Sequence, residues 1–345
     1  MTAASSGMSR CPGALAFPGT PAKGGHDWFK KSFLRAAMKP CGSNAQEKRM
    51  KFTEPPMRAP QEIRSLILQA TQGCTYGKCN FCYTSRGYLF MAVKPEDMEK
   101  AAIAMKPYFP STPPIYLTGA NPFALPTWKL KQYIAVLRRH FPHFSRISLQ
   151  SRIGDITKKS DAELAELCRL GLSHLYIGTE NGNDEALALM NKGQTAQETV
   201  EQLKRLDKAG FTYTTFYILG MAGRGKGQQS AKATAAMFNQ VHPKMITSTA
   251  ITPFARAPIA EMVKTGEFAM PSEREMIEEL RTFLAELDID TFYDGIHYLN
   301  PLNYRFEVGD PLQKQQVLDD IDQVLAGCSD EELEAMVNRK AKISL

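Results

Sequence analysis

Leu66-Ile-Leu-Gln-Ala-Thr-Gln-Gly-Cys74-Thr-Tyr-Gly-Lys-Cys79-Asn-Phe-Cys82-Tyr-Thr-Ser-Arg-Gly-Tyr-Leu-Phe90 is the stretch on which the reading of this chain turns. An apolar, β-like run empties into a glycine-punctuated loop with three cysteines spaced C-x4-C-x2-C. Three thiols held that close on one loop make a site for a soft metal. An iron–sulfur cluster ordinarily takes four cysteines. Three without a local fourth leave a coordination position open, as catalytic zinc sites do. A Cys3His zinc site is the alternative, and it needs a distant ligand because no histidine lies between His26 and His140. A disulfide framework suits neither three clustered cysteines nor the total of seven.

Outward from this loop, the composition is that of a globular protein, with 43% hydrophobic and 23% charged residues in 345. No run approaches the roughly 18 apolar residues of a membrane span, and without an apolar stretch of about 7–15 residues near the N-terminus a secretory signal is not expected. These features, with clustered metal-binding cysteines, point to a cytoplasmic protein. The net charge of +6 is uneven: residues 1–60 hold ten Lys and Arg against Asp27, Glu47 and Glu54. A basic leader can bind nucleic acid, but a solvated tail is the preferred reading, since no RNA-binding motif accompanies it.

After the leader, strands and helices alternate. Strands are predicted at 63–70, 114–118, 146–151, 174–178, 211–219 and 245–252. Helices are predicted at 94–105, 125–140, 160–170, 184–190, 195–209, 228–240, 273–287 and 312–325. Ser160-Asp-Ala-Glu163 is a capping box, and Gly171 and Gly210 end helices. Alternation of this kind predicts a parallel sheet in an α/β fold. Six units in this length fit a partial (β/α)6, TIM-like barrel, with an open doubly wound sheet as the other solution. The organisation expected is a basic leader at 1–55, a core at 56–270 and a largely helical C-terminal extension at 271–345 that caps the barrel.

The cysteine loop resembles that of the radical S-adenosylmethionine (SAM) superfamily, whose motif ends C-x-aromatic-C, as Cys79-Asn-Phe81-Cys82 does here. The commonest family spacing is C-x3-C-x2-C, so this loop has one extra residue. The resemblance implies a [4Fe-4S] cluster on Cys74, Cys79 and Cys82, with SAM chelating the fourth iron. It implies the partial barrel as the fold, and an oxygen-sensitive enzyme that cleaves SAM reductively and abstracts hydrogen from a substrate the sequence does not identify. A one-electron donor such as flavodoxin or ferredoxin follows as a partner. Ile177-Gly-Thr-Glu180-Asn-Gly-Asn-Asp184 resembles a segment of a bacterial branch near oxygen-independent coproporphyrinogen oxidase and the Elongator catalytic subunit.

The same resemblance assigns cofactor contacts in the loops after the strands, where barrels of this kind place their chemistry. Gly119, Ala120 and Asn121 match the glycine-rich loop that meets the methionyl amino group, with Asn121 where an acidic residue is common. Ser151 and Arg152 follow the third strand, and a guanidinium forks well onto a carboxylate. Glu180 is expected to face the cofactor. Gly220, and Ile251 or Phe254, are expected beside the adenine. No second cysteine cluster follows Cys82, and nothing ahead of the barrel resembles a cobalamin-binding domain.

Gly220-Met-Ala-Gly-Arg-Gly225-Lys226-Gly227 also satisfies G-x-x-x-x-G-K, the pattern of a P-loop nucleotidase. Gly227 stands where a Mg²⁺-binding hydroxyl belongs, and the next strand ends without an aspartate. Finally, residues 291–306 are dense in aromatics and carry Asp294, His297 and Asn300. His297, near neutral in its ordinary pKa, is the candidate substrate-side catalytic group; an edge-strand histidine with a plain hydrogen bond is the alternative.

Overall fold

In the computed structural model, residues 52–56, 58–109 and 113–339 are described. The leader therefore lies outside the described residues except for 52–55, and so do Cys11 and Cys41. A 3-10 turn, Pro60–Glu62, leads into β1 (Leu66–Gln69), followed by the short β2 (Thr71–Gln72) and β3 (Met91–Ala92). Next come α1 (Pro95–Met105), β4 (Ile115–Thr118), α2 (Thr127–His140), β5 (Ile147–Arg152), α3 (Ile153–Ile156), α4 (Asp161–Arg169) and β6 (Leu172–Glu180). Then α5 (Asp184–Leu189), α6 (Ala196–Ala209), β7 (Thr212–Leu219), α7 (Gly227–Phe238), β8 (Met245–Ala250), α8 (Ile259–Thr265) and α9 (Glu273–Glu286) follow. The chain ends in β9 (Phe292–Asp294), β10 (Arg305–Glu307), α10 (Pro311–Gly327) and α11 (Asp330–Val337).

The main sheet runs β1-β4-β5-β6-β7-β8-β9-β10. Every neighbouring pair is parallel except β9–β10. All six predicted strands are present. The aromatic stretch 291–306, read as a cover for the barrel with an edge strand as the alternative, adds strands at the sheet edge: β9 pairs with β8 and β10 returns antiparallel. The helix ends follow local chemistry. Ser160–Glu163, Thr195–Glu198 and Ser272–Glu275 form reciprocal capping boxes, and Gly210 closes α6 at φ 83°.

Along each strand the residues alternate between two environments. On β5, Ile147 and Leu149 join the large apolar layer under the helices, while Ser148, Gln150 and Arg152 face the other way. That inner face carries a separate buried cluster of Ala59, Ile67, Tyr116 and Tyr176. At its lower end sits Glu62, fully buried, whose carboxylate accepts from Arg146, Ser148 and Tyr176, each at 2.8 Å, and from Ser65. Burial alone would raise its pKa, but the Ser65 and Ser148 hydroxyls and the Arg146 guanidinium outweigh it and hold the carboxyl below its ordinary value.

The two ends of the sheet are joined by side chains. Gln61, just before β1, donates to Asp294 of β9 at 3.5 Å, and Arg305 of β10 pairs with the same carboxylate at 2.6 Å. The sheet is thus curled into a partial barrel whose inner face is a lumen. No helix among the described residues is long and apolar enough to cross a membrane.

Candidate active site

The cysteine loop leaves the C-terminal end of β1 and is fastened at many points. Gly73 opens it at φ +68°, where a Cβ would lie 2.7 Å from the carbonyl oxygens of Tyr88 and Leu89. Only glycine fits there. Arg86 donates to the carbonyls of Cys82 (2.8 Å) and Cys79 (2.7 Å), holding the x2 segment as a tight turn. Asn80 donates from its backbone to Met190 and from its side chain to Leu189, both at 2.9 Å. Its carbonyl accepts from the Ile259 amide at 2.9 Å. The loop is therefore locked onto the segments that follow β6 and β8.

Cys74, Cys79 and Cys82 are free and half-buried. Among the described residues no His, Cys, Asp or Glu are grouped tightly enough to ligate one metal ion. A cubane takes one thiolate per iron, so its ligands do not share a single coordination sphere, and one loop of three free thiols suits that demand. Burial pushes the Cys79 thiol up, and the nearby Lys192 ammonium pulls it only part of the way back.

Lys192 is the functional-looking residue that sequence reasoning missed. It is 3% exposed, pairs with Glu180 at 2.8 Å, and lies 5.8 Å from the ring centroid of Phe81, the aromatic of the cysteine motif. Burial disfavours its charge, but Glu180 and Cys79 more than compensate and raise its pKa. Glu180 sits in the left-handed region at φ 66°, which aims its carboxylate across the strand end. Gly178 leaves the room: a Cβ there would be 2.4 Å from Glu180 Oε1 and 2.9 Å from Lys192 Nζ. A lysine between Asn191 and Gly193, both at positive φ, was the signal available in the sequence.

Arg152 points to the same inner face and stacks on Tyr76, 4.0 Å from guanidinium carbon to ring centroid. One of its Nη atoms donates to the Lys192 carbonyl at 3.3 Å, while its buried Nε finds no hydrogen-bond partner among the described residues. A buried guanidinium nitrogen so placed calls for an acceptor. Ser151, by contrast, lies on the helix-facing side with Ile147 and Leu149, and its hydroxyl donates to the Arg152 carbonyl at 2.9 Å.

Gly119, at φ +147°, passes so close to Thr71 that a Cβ would lie 2.2 Å from its hydroxyl oxygen. With its amide nitrogen turned towards β4, Gln150 donates to the carbonyls of Gly119 (3.1 Å) and Ala120 (3.2 Å). Asn121 is fully buried and bolts the loop down. Its oxygen accepts from the Thr75 amide at 3.1 Å, and its nitrogen donates to Thr75 Oγ1 (2.6 Å) and to Asp155 (3.0 Å). Both ends of its amide are engaged within the protein.

The glycine loop after β7 has two of its amides engaged by carboxylates. The Gly220 amide donates to Glu279 at 2.8 Å and the Gly225 amide to Glu275 at 2.7 Å. Two carboxylates of α9 thus occupy the amides that a P-loop would offer to an anion. Gly220 packs on Ile251, since a Cβ would lie 2.9 Å from Ile251 Cγ2. The structure thus brings the two adenine-side candidates together, with the Gly220 amide already engaged. Phe254 packs on Tyr83, next to Cys82, with ring centroids 4.4 Å apart and planes tilted by 44°.

His297 reaches the upper lumen, where its Nδ1 lies 3.0 Å from the hydroxyl of Thr249 on β8. Its ring lies 4.7 Å from that of Tyr298, and its amide donates to Asn303 at 2.8 Å. A buried latch closes this corner. Arg339 pairs with Glu273 at 2.7 and 2.8 Å and donates to Ile251 O, Thr252 Oγ1 and Leu299 O.

Residues 68–228, from β1 through the loop after β7, match the model of the radical SAM superfamily. That matched segment, a little under half of the chain, is similar to the radical SAM superfamily. No curated protein matches the sequence. Among solved structures, the cobalamin-dependent S-adenosylmethionine radical enzyme OxsB is 14% identical with a TM-score of 0.51, over 65% of this chain and 41% of that one. Coproporphyrinogen III oxidase (HemN) from Escherichia coli is 16% identical with a TM-score of 0.50, over 70% of this chain and 54% of that one. Archaeal Methanocaldococcus infernus Elp3 is 13% identical with a TM-score of 0.47, over 75% and 63%. The chain spans less than two thirds of the length of each of these structures. At such identities the likeness is one of fold, and the radical SAM partial barrel is what OxsB and HemN share with it.

Proposed function

We propose that this protein is a radical SAM enzyme that generates a substrate radical in the lumen of the partial barrel. The observation that carries the reading is the loop of three free thiols, Cys74, Cys79 and Cys82, at the strand-end mouth inside the matched radical SAM segment. The surroundings fit the cofactors such a loop implies. Three thiols without a fourth suit a [4Fe-4S] cluster with one open iron, and the unpartnered Arg152 Nε suits an anionic group such as the SAM carboxylate. Cys74, Cys79 and Cys82 would hold the cluster and Arg152 the SAM carboxylate; a reduced cluster there would supply the one electron needed for reductive cleavage of SAM and so for radical chemistry on substrate.

The chain's own residues bind, orient and shield. Arg86, Asn80 and Asn121 fix the ligand loop; Arg152 stacked on Tyr76 presents a donor to the mouth; the Glu180–Lys192 pair keeps a neutral but strongly polar wall beside Cys79. To His297, which meets Thr249 on the lumen side, this reading assigns the holding or moving of a proton on substrate. An external one-electron donor of the flavodoxin or ferredoxin class completes the reaction.

The test is anaerobic reconstitution with iron and sulfide, then dithionite and SAM. A brown protein with about four irons per chain that releases 5′-deoxyadenosine is the expected result. A colourless, zinc-replete protein that leaves SAM intact would sink the reading.

A further inference from the structure

Residues 52–54 reach the site from outside the matched segment and are fastened at three successive points. Phe52 packs against the lumen cluster of Ala59, Ile67, Tyr116 and Tyr176. Thr53 and Gln69 make a reciprocal pair: the Thr53 amide donates to Gln69 Oε1 at 3.0 Å, and Gln69 Nε2 donates to Thr53 Oγ1 at 2.7 Å. Gln69 is the last residue of β1 and shares its inner face with Ile67. Glu54, only 9% exposed, then accepts the Gly73 amide at 3.1 Å. Gly73 directly precedes the first cysteine.

We propose that Glu54 is a positioning residue for the cysteine loop, carried to it by a strap of residues 52–54. The inference rests on the radical SAM reading of that loop. Gly73 is the left-handed pivot through which the chain turns from the β1–β2 segment into the thiols. Its amide is oriented by a carboxylate, and a charge-assisted bond of this kind fixes direction more firmly than a neutral one. The loop is then held on both sides of Cys74, by Glu54 before it and by Asn121 at Thr75 after it. Arg86 does the same for Cys79 and Cys82 from their carbonyls. Because the strap is continuous with the leader, whatever displaces it withdraws one of the fastenings of the ligand loop.

The experiment uses the full chain and the variants Glu54→Ala, Glu54→Gln and Gln69→Leu. Two quantities are read well below the melting temperature: iron release to a ferrous chelator from the reconstituted protein, and hydrogen exchange at residues 71–76 in the metal-free protein. Glu54→Ala is expected to speed iron release and raise exchange at Gly73 roughly tenfold, the size of one lost hydrogen bond to a charged group. Glu54→Gln keeps an amide oxygen as acceptor and is expected to restore most of both. Gln69→Leu loosens the strap while sparing Glu54, and is expected to fall between. Wild-type iron retention and Gly73 exchange in Glu54→Ala would overturn the proposal. Should that variant not fold, wild-type behaviour of Gln69→Leu would overturn it instead. If the wild type itself takes up no cluster, the functional reading fails, and exchange in the metal-free protein still decides whether the strap positions the loop.

Discussion

At the scale of single residues, the three cysteines differ in surroundings more than in role. Cys79 is the one set against Lys192, Glu180 and Arg152. Cys79→Ala is expected to abolish stable cluster assembly, read as iron and sulfide per chain, and the same holds for Cys74 and Cys82. Cys168 and Cys328, far along the chain and packed in the apolar layer, are expected to be replaceable by Ala with unchanged iron content. Glu180 has a second consequence that its pairing with Lys192 brings. Removing one partner of a buried ion pair strands the other charge, at a cost of about 3–5 kcal/mol. Lys192, with its pKa raised above 10.5, holds its proton through the neutral range, and the contribution of the pair fades only as pH climbs beyond that. Glu180→Gln should therefore lower stability in urea at pH 7 by roughly 3 kcal/mol, and adding Lys192→Met should recover part of it. A double variant no better than the single one would show that Lys192 is not left stranded.

At the scale of an element, the loop after β7 and helix α9 behave as one unit. Glu279 is 1% exposed and accepts from Tyr217 Oη (2.6 Å) and the Gly220 amide (2.8 Å). Burial pushes its carboxyl up to about 7, against a pull from those two donors. The folded state then binds a proton more tightly than the unfolded chain between the ordinary value of 4.5 and about 7. Stability from this group is consequently highest at low pH and falls as pH rises through that window, by on the order of 3 kcal/mol. Comparing urea stability at pH 5 and pH 8, Glu279→Gln should remove that part of the wild-type difference; an unchanged difference would mean the carboxyl titrates normally. Lys226, exposed and 3.6 Å from Glu185, should be replaceable by Ala without loss of stability or of SAM cleavage. Gly220→Ala should be strongly destabilising, because φ is +76° and the new Cβ would meet Pro271 Cγ at 2.8 Å.

At the scale of the whole molecule, Glu54 and Arg339, near the first and last described residues, each fasten a loop that follows a strand of the sheet. Arg339, beyond α11, reaches across to the exit of β8 and to Leu299 in the segment that carries His297. Arg339→Ala leaves Glu273, 2% exposed, without its partner, and the expected loss is again about 3–5 kcal/mol. Hydrogen exchange at residues 251–254 and 297–303 should rise with it; protection unchanged in those residues would mean that the tail merely rests on the barrel. The side-chain bridge of Gln61, Asp294 and Arg305 belongs to this scale too. The Gln61 contact runs from the turn before β1 to β9 on the far side of the sheet, while Arg305 and Asp294 belong to neighbouring paired strands.

What the sequence by itself determined was whatever depends on neighbours along the chain. The alternation of apolar strands with capped amphipathic helices dictates the parallel α/β sheet, since a strand buried on both faces and a helix with one apolar stripe pair in only a few ways. The spacing of Cys74, Cys79 and Cys82 dictates a single thiol loop. Gly119 and Gly220 were legible as members of glycine loops after their strands. What tertiary structure alone decided concerns groups brought together from distant segments. Lys192 met Glu180 and Phe81 across a strand end, Glu279 filled the loop that reads as a P-loop, Asn121 turned inward to Asp155, and Ser151 fell on the helix side by the register of one strand. A buried polar group must find its partner wherever the fold places one, and that requirement cannot be read until the strands are curled and the loops are laid against each other.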